Sequence, residues 1–192
     1  FSFPLPHHHG EGNEAAASPA PWQVAYRPGM TFSIRAATSE DAEAIHGFIY
    51  ELAVYEKEPD AVEATPASIR AQMESDRPPF ECVIGQAGGT PVGMALFFQS
   101  YSTWKGVPGI YLEDLYVQPD HRGSGYGGEL LAELAKIAVE RGFARVDWQV
   151  LDWNTPSIEF YENVDAEIKR DWLPCRLTGD ALTAMAARSQ TH

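Results

Sequence analysis

Apolar and polar positions alternate over Phe32–Ala36, then switch to helical spacing with Ile45, Phe48, Ile49, Leu52 and Tyr55 on one side. Thr38, Ser39, Glu40 and Asp41 supply cap-type residues ahead of that run. The pattern predicts a strand over 32–36 and an amphipathic helix over 39–56. Thr65-Pro66 has the N-cap and first-turn chemistry of a shorter helix, running to about Glu74 and stopped by Arg77-Pro78-Pro79. Phe80–Gln86 and Val92–Tyr101 then read as two strands. Ala87-Gly88-Gly89-Thr90 joins them, and its glycines tolerate the positive φ of a hairpin turn. Ile110–Val117 predicts another strand. A helix follows over about Gly125–Arg141, with Leu130, Leu131, Leu134, Ile137 and Ala138 on one side and Gly142 as its C-terminal stop. Ala144–Leu151 reads as a strand, Thr155–Glu162 as a short helix, Trp172–Leu177 as a last strand and Gly179–Ala187 as a terminal helical turn. The order predicts an α/β fold, one mixed sheet with flanking helices.

Composition adds limits to this picture. A chain of 192 residues suits one domain. Residues 1–30, rich in Pro, Ala, Gly and Ser without periodicity, read as a disordered tail or added extension, with Met30 as a natural start and the domain over 31–192. His7, His8 and His9 lie in that stretch, which gives a metal no fixed geometry. Acidic residues number 27 against 14 basic ones, a net charge of −13, so the surface repels nucleic acid and anionic lipid and favours a cationic partner. Cys82 and Cys175 stand far apart, which suggests neither a disulfide framework nor a metal site. There is no apolar run of about 18 residues and no secretory pattern, so a cytoplasmic protein with no membrane partner is expected.

The chemistry concentrates in residues 115–128, Leu-Tyr-Val-Gln-Pro-Asp-His-Arg-Gly-Ser-Gly-Tyr-Gly-Gly. Glycines let main-chain N–H groups approach a pyrophosphate without Cβ clashes, and the following helix N-terminus adds partial positive charge. A phosphate-bearing cofactor is the expected ligand. Gly123, Gly125 and Gly128 also satisfy G-x-G-x-x-G, with Asp147 about twenty residues on. Context excludes that dinucleotide site, because Gln118-Pro119-Asp120-His121-Arg122 separates strand from glycine and Asp147 lies inside a predicted strand. The loop lacks the Lys-Ser/Thr pair of a nucleotide-hydrolysing P-loop.

Arg122-Gly123-Ser124-Gly125-Tyr126-Gly127, placed after Tyr111-Leu112-Glu113-Asp114-Leu115-Tyr116-Val117, resembles the acetyl-CoA signature of the GNAT superfamily of N-acetyltransferases. Tyr101-Ser102-Thr103-Trp104-Lys105-Gly106, Val150-Leu151-Asp152-Trp153-Asn154 and Phe160-Tyr161 extend the likeness to the spermidine/spermine N-acetyltransferase-like branch, especially its thialysine-type members. It covers about 33–185, nearly the whole expected domain.

The resemblance implies a GNAT-type sheet, acetyl-CoA as co-substrate, no metal, and a homodimer paired along C-terminal strands, for which Trp172–Leu177 is the edge candidate. It implies cofactor contacts from Arg122, Gly123, Ser124, Gly125, Tyr126, Gly127 and Gly128, and from Asn154 and Ser157. It implies, too, main-chain bonds from Leu115, Tyr116 and Val117 to the pantetheine arm, as one added pseudo-strand. Tyr55, Glu56, Glu113, Asp147, Trp148 and Gln149 match positions that line the amine pocket. An alkyl ammonium has a pKa near about 10.4, so a carboxylate must take its proton before the amine attacks a thioester. Glu113 and Asp114 are the candidates; adjacent strand side chains face opposite ways, so one of them enters the cleft. By resemblance it is Glu113, and Tyr161 is the acid that protonates the departing thiolate.

The expected activity is acetyl transfer by direct attack to a primary amine on a small cationic substrate: a thialysine-like amino acid, a diamine or a polyamine. Two positions depart from the family. Ser102 and Thr103 stand where polyamine-type members carry an acid, which favours thialysine-like or other small amines. Asp165 replaces the usual glycine after Phe160-Tyr161, and either adopts a left-handed turn at modest cost or weakens cofactor binding. The rival functions are a non-catalytic acyl-CoA-binding module and a protein lysine or N-terminal acetyltransferase.

Overall fold

Strand β1 (Phe32–Ala36) is tied to the first helix by a charged clasp, in which Arg35 donates to both Asp41 oxygens at 2.7 and 2.6 Å. Thr38 N–H donates to the same carboxylate at 2.8 Å. The guanidinium holds the Asp41 carboxyl down at about 2, although burial opposes the shift. In the computed structural model, which describes residues 31–189, the predicted helix over 39–56 divides into a 3-10 turn at Ser39–Asp41 and α1 (Ala42–Tyr55). The N-terminal extension and its His triplet lie outside the described residues. Thr65 caps α2 (Pro66–Met73): its Oγ1 accepts from Ser68 N–H while Ser68 Oγ accepts from Thr65 N–H, the reciprocal box expected before a Pro at the first position.

Strands β2 (Glu81–Ala87), β3 (Thr90–Ser102) and β4 (Val107–Val117) follow, then α3 (Tyr126–Glu140) and β5 (Val146–Asp147). The sheet runs β1-β2-β3-β4-β5, antiparallel except for the parallel β4–β5 pair. Ile45, Phe48 and Ile69 from α1 and α2 pack on Cys82, Ile84, Met94, Leu96 and Tyr116 on one face. The buried side of α3, Leu130, Leu131, Leu134 and Ala138, covers the other. Burial pushes the Cys82 thiol up to about 12, whereas Cys175 is exposed.

The chain divides into two compact units, one ending at Leu151 and one starting at Asp152. The second contains α4 (Thr155–Glu162) and α5 (Gly179–Ala186). Two expected strands are corrected here. Trp172–Leu177 forms no strand: Pro174 removes a ladder donor in its middle, and Trp172 and Leu173 are exposed. Ala144–Leu151 shrinks to Val146–Asp147, for a reason that lies in β4. Among the described residues no helix is long and apolar enough to cross a membrane.

At Gly93 the β4 backbone comes close to β3, since a Cβ there would stand 2.5 Å from the Tyr116 carbonyl oxygen. Gly93→Ala should therefore lower stability by about 1–3 kcal/mol through overpacking, read as a fall in the urea midpoint. An unchanged midpoint would show that the strands part without strain.

Candidate active site

Leu96 pairs with Asp114 and Phe97 with Leu112, so one step on β3 spans two on β4 and Glu113 is the extra residue of a β-bulge. Beyond it β4 runs on to Val117, yet its parallel pairing with β5 stops at Tyr111–Asp147. Within the first unit, residues 112–117 are paired to β3 alone, through Ala95–Leu115, Met94–Tyr116 and Gly93–Val117. That open edge presents main-chain groups to any extended ligand laid beside it.

The bulge also sorts the two carboxylates. Asp114 shares the face of Leu96 and Tyr116, under α1, and is half-buried, while Glu113 is exposed. Burial first, then the charges of Glu113 and Glu56, push the Asp114 carboxyl up to about 6. Burial raises Glu56 as well. Glu113 and Asp114 thus face different surroundings, as expected, and it is burial that raises the Asp114 carboxyl.

Past Val117 the chain turns through Pro119–His121, and Arg122 Nε donates to the Val117 carbonyl at 2.8 Å, which closes the turn. Gly123 and Gly125 take positive φ of 72° and 82°, the left-handed region that glycine enters without a Cβ clash. The Glu129 N–H bonds to the Gly125 carbonyl, so the N–H groups of Tyr126, Gly127 and Gly128 have no acceptor within α3. They open the helix N-terminus to an anion. The Tyr126 ring stacks on Phe32 at 4.0 Å, which pins the helix start to β1. Loop and helix end thus fit a pyrophosphate.

On the α1 side of this turn lies a cleft of about 590 Å³, lined among others by Tyr50, Glu51, Tyr55, Tyr116, Gln118 and Arg122. The Arg122 guanidinium sits over the Tyr55 and Tyr116 rings, at 5.2 and 5.4 Å. Burial and the neighbouring Glu51 raise the Tyr116 phenol to about 12. Tyr55 is the predicted acceptor residue that the structure brings here; Glu51 was not anticipated, although it stands one helical turn before Tyr55. Asp147 lies on β5 in a 2.6 Å ion pair with Arg145, Trp148 is half-buried and Gln149 is exposed.

In the second unit, Asn154 Oδ1 caps α4 by accepting from Ser157 N–H at 3.4 Å. Asn154 and Tyr161 are both buried. Asp165 adopts φ 60°, the left-handed turn expected of it, and the Ala166 N–H bonds back to the Tyr161 carbonyl. Among the described residues no cluster of His, Cys, Asp and Glu could hold a metal.

A carboxyl whose folded pKa exceeds its unfolded value keeps a proton that the unfolded chain has already released. The Asp114 contribution to stability therefore falls as pH climbs from the ordinary carboxylate range to about 6, and is flat above. Asp114→Asn should flatten that part of the stability profile, measured by urea unfolding across the window. The same slope in the variant would remove Asp114 as its source.

Comparison with known proteins gives the geometry its relatives. The family model described as acetyltransferase (GNAT) family matches residues 37–165. Thialysine N-epsilon-acetyltransferase from Bos taurus is 35% identical over 166 residues, covering 81% of this chain and 97% of the relative. L-ornithine N5-acetyltransferase from Arabidopsis thaliana is 30% identical over 201 residues, covering 81% and 88%. Among solved structures, an integron cassette protein from V. cholerae superimposes with TM-score 0.69 at 23% identity, over 82% of this chain and 99% of that one. An aminoglycoside N-acetyltransferase in complex with CoA gives 0.63 at 18% identity, over 79% and 98%. The chain belongs to the GNAT acetyltransferase family and is an N-acetyltransferase.

Proposed function

We propose that the protein transfers an acetyl group from acetyl-CoA to the primary amine of a small cationic acceptor by direct attack. The observation that carries this reading is the open edge of β4, which leads from a carboxyl at about 6 straight into a helix N-terminus with unused N–H donors. When bound, acetyl-CoA supplies the activated acetyl thioester. Leu115, Tyr116 and Val117 offer the main-chain edge for its pantetheine arm, and residues 122–128 offer N–H groups for its pyrophosphate. Asn154 and Ser157 are assigned cofactor contacts by their place in the motif.

The acceptor arrives as an ammonium and must lose a proton. A carboxylate whose pKa is near working pH does this best, which favours Asp114; Glu113, at the bulge, is the alternative acceptor of that proton. Tyr161 Oη is assigned the proton given to the departing thiolate, again by motif position. The names of the relatives, thialysine and ornithine acetyltransferases, support an acceptor with an alkyl amine. Glu56, and the strand residues Asp147, Trp148 and Gln149, are proposed to border it. A net charge of −13 draws such cations in, an attraction screened beyond about 10 Å at 0.1 M salt. A homodimer belongs to this reading on family resemblance alone, since Trp172–Leu177 supplies no edge strand. Light scattering that gives a monomer at micromolar concentrations would remove it.

Thiol release from acetyl-CoA over a panel of diamines, polyamines, lysine analogues and aminoglycosides should show turnover with at least one amine; none would overturn the assignment. Gly125→Glu should abolish acetyl-CoA binding in calorimetry, through its left-handed backbone and its like charge, while Gly125→Asn keeps the turn. Tyr161→Phe should cut turnover by about one to three orders of magnitude with cofactor affinity retained. Undiminished turnover, with chemistry rate-limiting, would remove Tyr161 from the mechanism. Asp114→Asn should abolish the acid limb of kcat/KM near pH 6, whereas a limb lost only in Glu113→Gln would move the base to the bulge.

A further inference from the structure

Three side chains of the segment that leads from β4 into the glycine turn reach across to α1. The Tyr116 hydroxyl donates to Glu51, and Gln118 Nε2 donates to Glu51 Oε1 at 3.4 Å. Two side chains at alternate positions of one extended run thus meet a single carboxylate. The third is Arg122, whose guanidinium donates to the Tyr116 oxygen and lies over the Tyr55 ring at 5.2 Å. Donation therefore runs one way, from Arg122 to Tyr116 to Glu51, and ends on a group that accepts.

The turn itself closes through local bonds. His121 N–H donates to the Gln118 carbonyl, Arg122 N–H to the Pro119 carbonyl and Arg122 Nε to the Val117 carbonyl. Gly123 and Gly125 follow, and their backbones have the widest choice of direction. Where the N–H groups of this loop point depends on how its two ends are held. The Tyr126 ring, stacked on Phe32, holds the far end. The chain from Arg122 through Tyr116 holds the near end. Resting on the acetyl-CoA reading above, we infer that Glu51 is a positioning residue for the cofactor, which through Tyr116 and Arg122 fixes the near end of the loop that receives the pyrophosphate. Because α1 also carries Tyr55 and Glu56, assigned above to the acceptor side, one helix aligns both substrates.

The test uses Glu51→Gln and Tyr116→Phe in the full chain. A carboxylate accepts at both oxygens, whereas an amide accepts at one atom and donates at the other, so Glu51→Gln cannot serve Tyr116 and Gln118 together. Tyr116→Phe removes a single oxygen and carries the test if Glu51→Gln fails to fold. Calorimetry with CoA should show each variant binding about 5- to 50-fold more weakly, the worth of a hydrogen bond to a charged group passed on in part. The double variant should bind within about twofold of the weaker single one, because both substitutions cut the same chain. Losses that multiply overturn the inference. In turnover, Glu51→Gln should raise KM for acetyl-CoA and leave kcat at saturation and KM for the amine unchanged. Acetylpantetheine has the thioester arm and no pyrophosphate, so its kcat/KM should be the same in wild type and Glu51→Gln. A fall equal to that for acetyl-CoA shows a merely structural role and overturns the inference. CoA affinity unchanged in folded variants overturns the inference alone and leaves acetyl transfer standing. Wild-type protein that does not bind CoA overturns the acetyl-CoA reading, and the inference with it.

Discussion

One extra residue in β4 governs the arrangement of everything near the site. A bulge bends its strand and increases its local twist, and this one falls between the part of β4 that β5 accompanies and the part that it does not. Were Glu113 paired regularly with Leu96, Asp114 would fall opposite Ala95 and Tyr116 opposite Gly93, and both would turn to the other face of the sheet. The Asp114 carboxyl would then lose its place under α1, and Tyr116 its contacts with Phe48 and Glu51. Among the described residues of the first unit, residues 115–117 owe to the same break an edge that β5 does not accompany.

The electrostatics follow from that geometry. Near the bulge the charges of Glu113 and Glu56 act on Asp114, whose burial already disfavours its ionised form. One turn back along α1, Glu51 faces a different environment, with an amide, three phenol rings and a guanidinium nearby. The clasp between Arg35 and Asp41 secures the other end of α1, so the helix that carries Glu51, Tyr55 and Glu56 is anchored by a charged pair remote from the cleft.

Much of this was legible in the sequence where local chemistry decides the outcome. β1 occupies 32–36 and α4 155–162 as expected, because alternation in one and an Asn cap with Pro in the other act over a few residues. Gly123 and Gly125 could be assigned to a special turn because their backbone freedom is local too. The length of β5 was not legible, since it depends on where its partner diverges. Nor was the choice between Glu113 and Asp114: alternation showed that they differ, but only the register against Leu96 and Phe97 shows which one α1 covers. Glu51 escaped notice because a Glu at helical spacing from Tyr55 reads equally well as a solvated face. Trp172–Leu177 has the residues of a strand and a proline where the ladder needs a donor.

The two cysteines make the units chemically distinguishable. Only the thiolate is nucleophilic, so Cys82, buried in the sheet with its pKa near 12, stays inert to alkylating reagents and mild oxidants while the first unit is folded. Cys175 is exposed in the second unit, among residues with no strand to protect them. A single thiol-reactive dye therefore marks the unit that carries Tyr161 without touching the one that carries Asp114. The chain thus comes with a one-site chemical handle on its second unit.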